Sequence, residues 1–199
     1  MKRVILLVLL GCSITFVLNA QVKPGDAASD FSLKNVDGRM VSLSDYAAEK
    51  GVILVFTCNP CPFAKAYEQR IIKLHTNFAS GGYPVVAINP NDETLSPDDT
   101  FESMKKRASE KNYPFVYLKD DGTVFKSYGA TRTPHVFLLK NDGKGKFTVA
   151  YIGAIDNNAM DEKSVSEKYV QQAIIALESG NKPNPEQVKA IGCTIKSKN

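Results

Sequence analysis

Residues Val52-Ile53-Leu54-Val55-Phe56-Thr57 form a short uncharged run rich in β-branched side chains, which predicts a buried strand. Apolar positions then switch to helical spacing: Tyr67, Ile71, Ile72, Leu74 and Phe78 predict a helix over 64–78, ended by Gly81-Gly82. Upstream, Asp30-Phe31-Ser32-Leu33-Lys34 alternates, Asp37-Gly38 signals a turn, and Met40-Val41-Ser42-Leu43 supplies a hairpin partner. Ser44 is expected to cap a short helix through Tyr46. Downstream, strands are predicted over 83–89, 115–118, 136–139 and 147–152, with Asp121-Gly122 and Asn141-Asp142-Gly143 as turns. Helices are predicted over 96–111, 124–128 and 165–177. A hairpin, then β-α-β-α-β, then a closing hairpin and helix describes an α/β domain: a mixed sheet with helices on both faces.

The N-terminus changes where that domain begins. Lys2 and Arg3 precede an apolar stretch from Val4 to Leu18, and Ala20 is a plausible cleavage point, so residues 1–20 read as a signal peptide. Leu9-Leu10-Gly11-Cys12 offers the alternative of a lipid anchor on Cys12. The domain is expected over 21–180, followed by a polar tail over 181–199 that carries Cys193. Residues 1–20 hold two bases and no acids, so cleavage lowers the formal charge from +4 to +2. Nothing in that balance calls for nucleic acid or a membrane surface as partner, short of lipidation at Cys12. Export places Cys58, Cys61 and Cys193 in an oxidising compartment.

The candidate chemistry lies at Cys58-Asn59-Pro60-Cys61, where the first core strand hands over to a helix. Unpaired N–H groups and the helix dipole favour a negative sulfur there, and thiolate is the reactive species. Pro60 and Pro62 fall at or near the first helical turn, where a missing N–H costs least. A structural disulfide between such close cysteines would close too small a loop to stabilise much. Half of a zinc site would need a second ligand pair, and only Cys193, His75 and His135 remain.

The strand–CxxC–helix corner, Thr133-Pro134 directly before the strand 136–139, and the hairpin over 30–43 together resemble the thioredoxin-like superfamily. The run from Phe56 to Glu68 and the tail motif Gly192-Cys193-Thr194-Ile195-Lys196 resemble its redoxin, thiol-specific-antioxidant-like branch of exported oxidoreductases. The resemblance implies a three-layer fold with an N-terminal hairpin extension, a cis Pro134, and thiol–disulfide exchange with protein substrates. It implies no cofactor and no metal, because the electrons reside in the thiols, but it does require an electron donor of unidentified kind. Two departures stand out: Thr57 occupies the place of the usual Trp, and Val52 and Ala64 hold the places of the usual buried acid.

In that frame Cys58, taken as nearer the helix start, attacks and Cys61 resolves, while Thr133 and Pro134 position the substrate. Lys65 and Arg132 are accessory candidates for raising the thiolate fraction, and Glu68 for replacing the missing acid. Cys193 is either a third redox partner or, as preferred, an inert filler between Ile191 and Ile195. His135 and His75 are read as ordinary solvated or structural histidines, and Asp98-Asp99 as the acidic start of a solvated helix. A monomer is expected. A peroxiredoxin-like peroxidase and a copper-delivery domain using Cys58, Cys61 and His135 are the alternatives.

Overall fold

A computed structural model describes residues 22–198; the expected cleavage after Ala20 and lipidation of Cys12 lie outside them. Strands β1 (Ser32–Asn35) and β2 (Met40–Ser42) form the hairpin, with Leu33 opposite Val41. A 3₁₀ turn over Leu43–Tyr46 follows, capped by Ser42 rather than Ser44 because Asp45 reaches back to the Ser42 N–H at 2.8 Å. Next come β3 (Gly51–Phe56), α1 (Pro62–Phe78), β4 (Val85–Asn89), α2 (Phe101–Glu110), β5 (Val116–Lys119) and α3 (Val124–Tyr128). The chain closes with β6 (Arg132–Thr133), β7 (His135–Asn141), β8 (Phe147–Gly153), α4 (Tyr169–Glu178) and β9 (Cys193–Thr194).

Seven strands form one mixed sheet in the order β2-β1-β5-β4-β3-β7-β8. Strand β3 lies near its centre, parallel to β4 and antiparallel to β7. It is wholly buried and shares its side chains between two cores. Val52, Leu54 and Phe56 meet α3 and the hairpin side, while Ile53 and Val55 meet α1 and α4. That two-sided burial explains the continuous apolar run, since neither face of the strand sees water. Helix α2 covers the same face as α1 through Met104, against Ala87 and Tyr117.

Two predicted helices begin later than expected. The segment 96–111 divides into a 3₁₀ turn over Pro97–Asp99 and α2, because Thr100 is extended and its side chain caps the Ser103 N–H. Residues 165–168 stay outside α4, where Asn157 accepts the Ser166 and Glu167 N–H groups. The tail is not loose. Its residues Glu186 and Val188 hydrogen-bond with Ile152 on β8, and β9 pairs with β6 as a separate two-stranded ribbon.

Candidate active site

Strand β3 ends at Phe56, and the chain leaves the sheet through Thr57 to Cys61 before α1 starts at Pro62. Proline suits this first helical position because its missing N–H has no intrahelical partner there in any case. Cys61 is therefore the residue that caps α1, and Cys58 lies three residues before it. This reverses the expected order, in which Cys58 was the cysteine nearer the helix start.

Across the gap, the Thr133–Pro134 peptide is cis, as the resemblance implied. Cys58 Sγ lies 3.1 Å from Thr133 Oγ1. Cys61 Sγ lies 3.2 Å from the Thr133 carbonyl oxygen. Cys61 is bonded to Cys193, so its sulfur has no proton to give and the second approach is a contact, not a hydrogen bond. The bridge spans Cα atoms 6.1 Å apart, inside the range a disulfide tolerates. Among the described residues Cys58 is the free thiol, only 4% exposed. The expectation of an unpaired Cys193 is thus overturned, because the ribbon β6–β9 carries the tail to the active-site corner and sets Cys193 opposite Thr133, within reach of Cys61.

The thiol of Cys58 is not pre-ionised in this form. Burial pushes its pKa above the ordinary value, and the Asp99 charge pushes the same way. Hydrogen bonds from Thr133, the Cys61 N–H and Asn91 oppose them without prevailing. The expected lowering is present only as the Cys61 N–H at the start of α1, and burial outweighs it.

Asp99 was expected on a solvated helix face and is instead wholly buried. Its Oδ1 accepts from the Asn59 N–H and from Asn89 Nδ2, each at 2.8 Å. Its Oδ2 accepts from Asn91 Nδ2 at 2.8 Å and Ser96 Oγ at 2.7 Å. Tyr117 donates to Asn59 Oδ1 at 3.0 Å. This network fixes the dithiol loop from below, and sequence reasoning missed all of it. The available signal was Asn89-Pro90-Asn91 at the carboxyl end of β4, beside the end of β3.

Glu68 is buried on α1, where it meets Arg107 and accepts from Tyr113, each at 2.7 Å. Lys65 is exposed on α1, and Arg132 donates to Thr194 Oγ1 at 2.7 Å. His135 is buried, accepts the Thr131 N–H weakly at Nδ1, and is lowered to about 4 by burial. His75, expected on the wet side of α1, is half-buried and accepts the Val85 N–H. Among the described residues no three His, Cys, Asp or Glu side chains converge as a metal site requires. No described helix is long and apolar enough to cross a membrane.

The family match covers the dithiol corner and Pro134 but not Cys193. Residues 24–147 match the AhpC/TSA family. The chain is 31% identical to the thiol-disulfide oxidoreductase ResA of Geobacillus thermodenitrificans, over 73% of its own length and 83% of that protein. An uncharacterised conserved protein from Geobacillus kaustophilus superposes with a TM-score of 0.81 at 35% identity, covering 88% of this chain and 93% of that one. A hypothetical protein from Sinorhizobium meliloti 1021 gives the same TM-score at 30% identity, over 90% and 97%. With fold, dithiol corner and cis-proline in place, the chain belongs to the AhpC/TSA family, as an oxidoreductase of the thiol-based, thioredoxin-like kind.

Proposed function

We propose that this protein is exported and exchanges disulfides with protein substrates through Cys58 and Cys61. The observation that carries the reading is the convergence on Thr133: both sulfurs touch the residue before cis Pro134, one as a thiol and one within a disulfide. A free thiol beside a disulfide is the minimum equipment for exchange, since the thiolate attacks one sulfur and a second thiolate leaves.

In the reducing direction, Cys58 thiolate attacks a client disulfide, forms a mixed disulfide and expels one client thiol. Cys61 thiolate then attacks the Cys58 sulfur, closes Cys58–Cys61 and expels the second client thiol. Two electrons reach the client, and each step exchanges one thiolate for another. The oxidising direction is the same path reversed. Thr133 and Pro134 position the client, whose extended chain pairs on the β6 edge. Export rests on the basic and apolar N-terminal sequence. An oxidising compartment also suits a chain bearing a disulfide.

Insulin reduction with dithiothreitol as donor tests this. Wild-type protein should accelerate it, and Cys58→Ser and Cys61→Ser should each abolish the acceleration. Cys61→Ser should accumulate mixed disulfides at Cys58, whereas Cys58→Ser should accumulate almost none. Equal trapping by the two variants overturns the division of roles, and no acceleration by wild type overturns the function.

A further inference from the structure

The proposed exchange leaves one cysteine without a role, and the structure places that cysteine on the reacting atoms. Cys193 sits opposite Thr133 and Thr194 opposite Arg132 in the antiparallel β6–β9 ribbon. The seating continues on the C-terminal side of Cys193. Ile195 N–H donates to the Thr131 carbonyl at 3.2 Å, and Arg132 donates to Thr194 Oγ1 at 2.7 Å. Lys196 N–H donates to Asn91 Oδ1 at 2.9 Å, and its carbonyl accepts the Asp92 N–H at 2.8 Å. Asn91 is also the residue that ties Asp99 to the surroundings of Cys58. Gly192 permits the approach, because a Cβ there would run into the Thr133 carbonyl and come within 3.0 Å of Pro134 N. The edge is thus filled by an extended cysteine-bearing strand of the protein's own tail, held by the backbone bonds that an added strand makes.

We propose that Cys193 is a third redox-active cysteine: once Cys58–Cys61 has formed, Cys193 attacks Cys61 and the tail strand closes over the β6 edge. This rests on the exchange chemistry proposed above. The step is an isomerisation that moves no net electrons. Cys193 thiolate bonds to Cys61 Sγ, the Cys58–Cys61 bond breaks, and Cys58 leaves as a thiolate that takes a proton from solvent. Its product is the state seen here, Cys61 bonded to Cys193 and Cys58 a buried thiol. Tail and client then alternate on one edge. A dithiol donor reduces Cys61–Cys193 and leaves as its own disulfide, which frees the tail covalently and opens β6 to an extended client. The client disulfide then takes the two electrons through Cys58–Cys61, and attack by Cys193 closes the edge again. The client class that fits is a disulfide-bearing segment in extended conformation.

The test is disulfide mapping of the full-length chain equilibrated in glutathione redox buffers, acid-quenched, alkylated and digested. Wild type should hold Cys61–Cys193 as its main intramolecular disulfide, with Cys58 alkylated after denaturation. Gly192→Val should shift the ratio at least tenfold toward Cys58–Cys61, and Cys193→Ser should form Cys58–Cys61 alone. During insulin turnover the Cys61–Cys193 bond should be reduced and re-formed. Its absence from oxidised wild type, or its persistence unexchanged while insulin is reduced, overturns the relay. Insulin turnover in wild type reports separately on the exchange reading, because the mapping needs only glutathione. Should Gly192→Val fail to fold, wild type and Cys193→Ser still decide the question.

Discussion

Cys58 is held between opposed influences, and each is attached to a nameable residue. Asp99 disfavours its thiolate by charge, whereas the Thr133 hydroxyl favours it by hydrogen bonding. Asp99→Asn should therefore move the pH midpoint of Cys58 alkylation down, and Thr133→Val should move it up. Midpoints that stay together would detach both residues from the thiol. Asp99→Asn should also cost stability, about 2 kcal/mol, because four buried donors lose a charged acceptor. His135 makes a second residue-scale prediction. Burial lowers it from 6.5 to about 4, so it stays neutral in the fold while the unfolded chain takes up a proton. The sign follows: its contribution is intact above about 6.5 and is lost as pH falls toward 4, by a difference on the order of 3 kcal/mol. Urea unfolding at pH 7 and pH 4 should show that loss in wild type and a smaller one in His135→Gln. An equal loss in both would contradict the assignment.

At the scale of elements, α1 is fixed at both the dithiol end and the opposite flank. Arg70 donates to Asp156 Oδ2 at 2.6 Å and to the Asn158 carbonyl at 2.7 Å, and it also meets the Ala159 carbonyl. Tyr67 donates to the same carboxylate at 2.9 Å. The pair is buried, with both side chains under a tenth exposed. Removing one partner strands the other charge, so Arg70→Met should destabilise the protein by about 3–5 kcal/mol in urea unfolding. A loss below 1 kcal/mol would show the pair to be dispensable. The elements themselves were largely legible. Strand β3 announced itself because both its faces are buried, and the hairpin because alternation flanks a turn. The second half of the segment 96–111 gave a helix, but its start was misplaced: Asp99 turns inward to accept donors contributed by β4 and the dithiol loop. Asn89-Pro90-Asn91 is the one local trace of them, and the donors converge on Asp99 only when β3 and β4 align in parallel.

The whole molecule explains why the tail was the hardest part to read. Its polar residues carry no periodicity, and its seating depends on backbone groups of β8, β6 and the loop after β4. Those partners are brought together by the sheet order, not by anything within residues 181–198. The resemblance placed Pro134 correctly but assigned Cys193 no position, so geometry had to supply it. The bridge joins residues 132 apart. A loop of that size would stabilise the fold by roughly 5 kcal/mol in the chain-entropy picture if it served only as a staple. A staple and a working disulfide differ in how readily they are reduced. The most direct test of the central claim is therefore the reduction potential of the oxidised protein in dithiol redox buffers, read by thiol alkylation and mass. An exchanging dithiol predicts a two-electron transition involving Cys61, between about −270 and −120 mV. A single transition well below about −300 mV, with Cys58 never oxidised, would mark a structural disulfide and contradict the account.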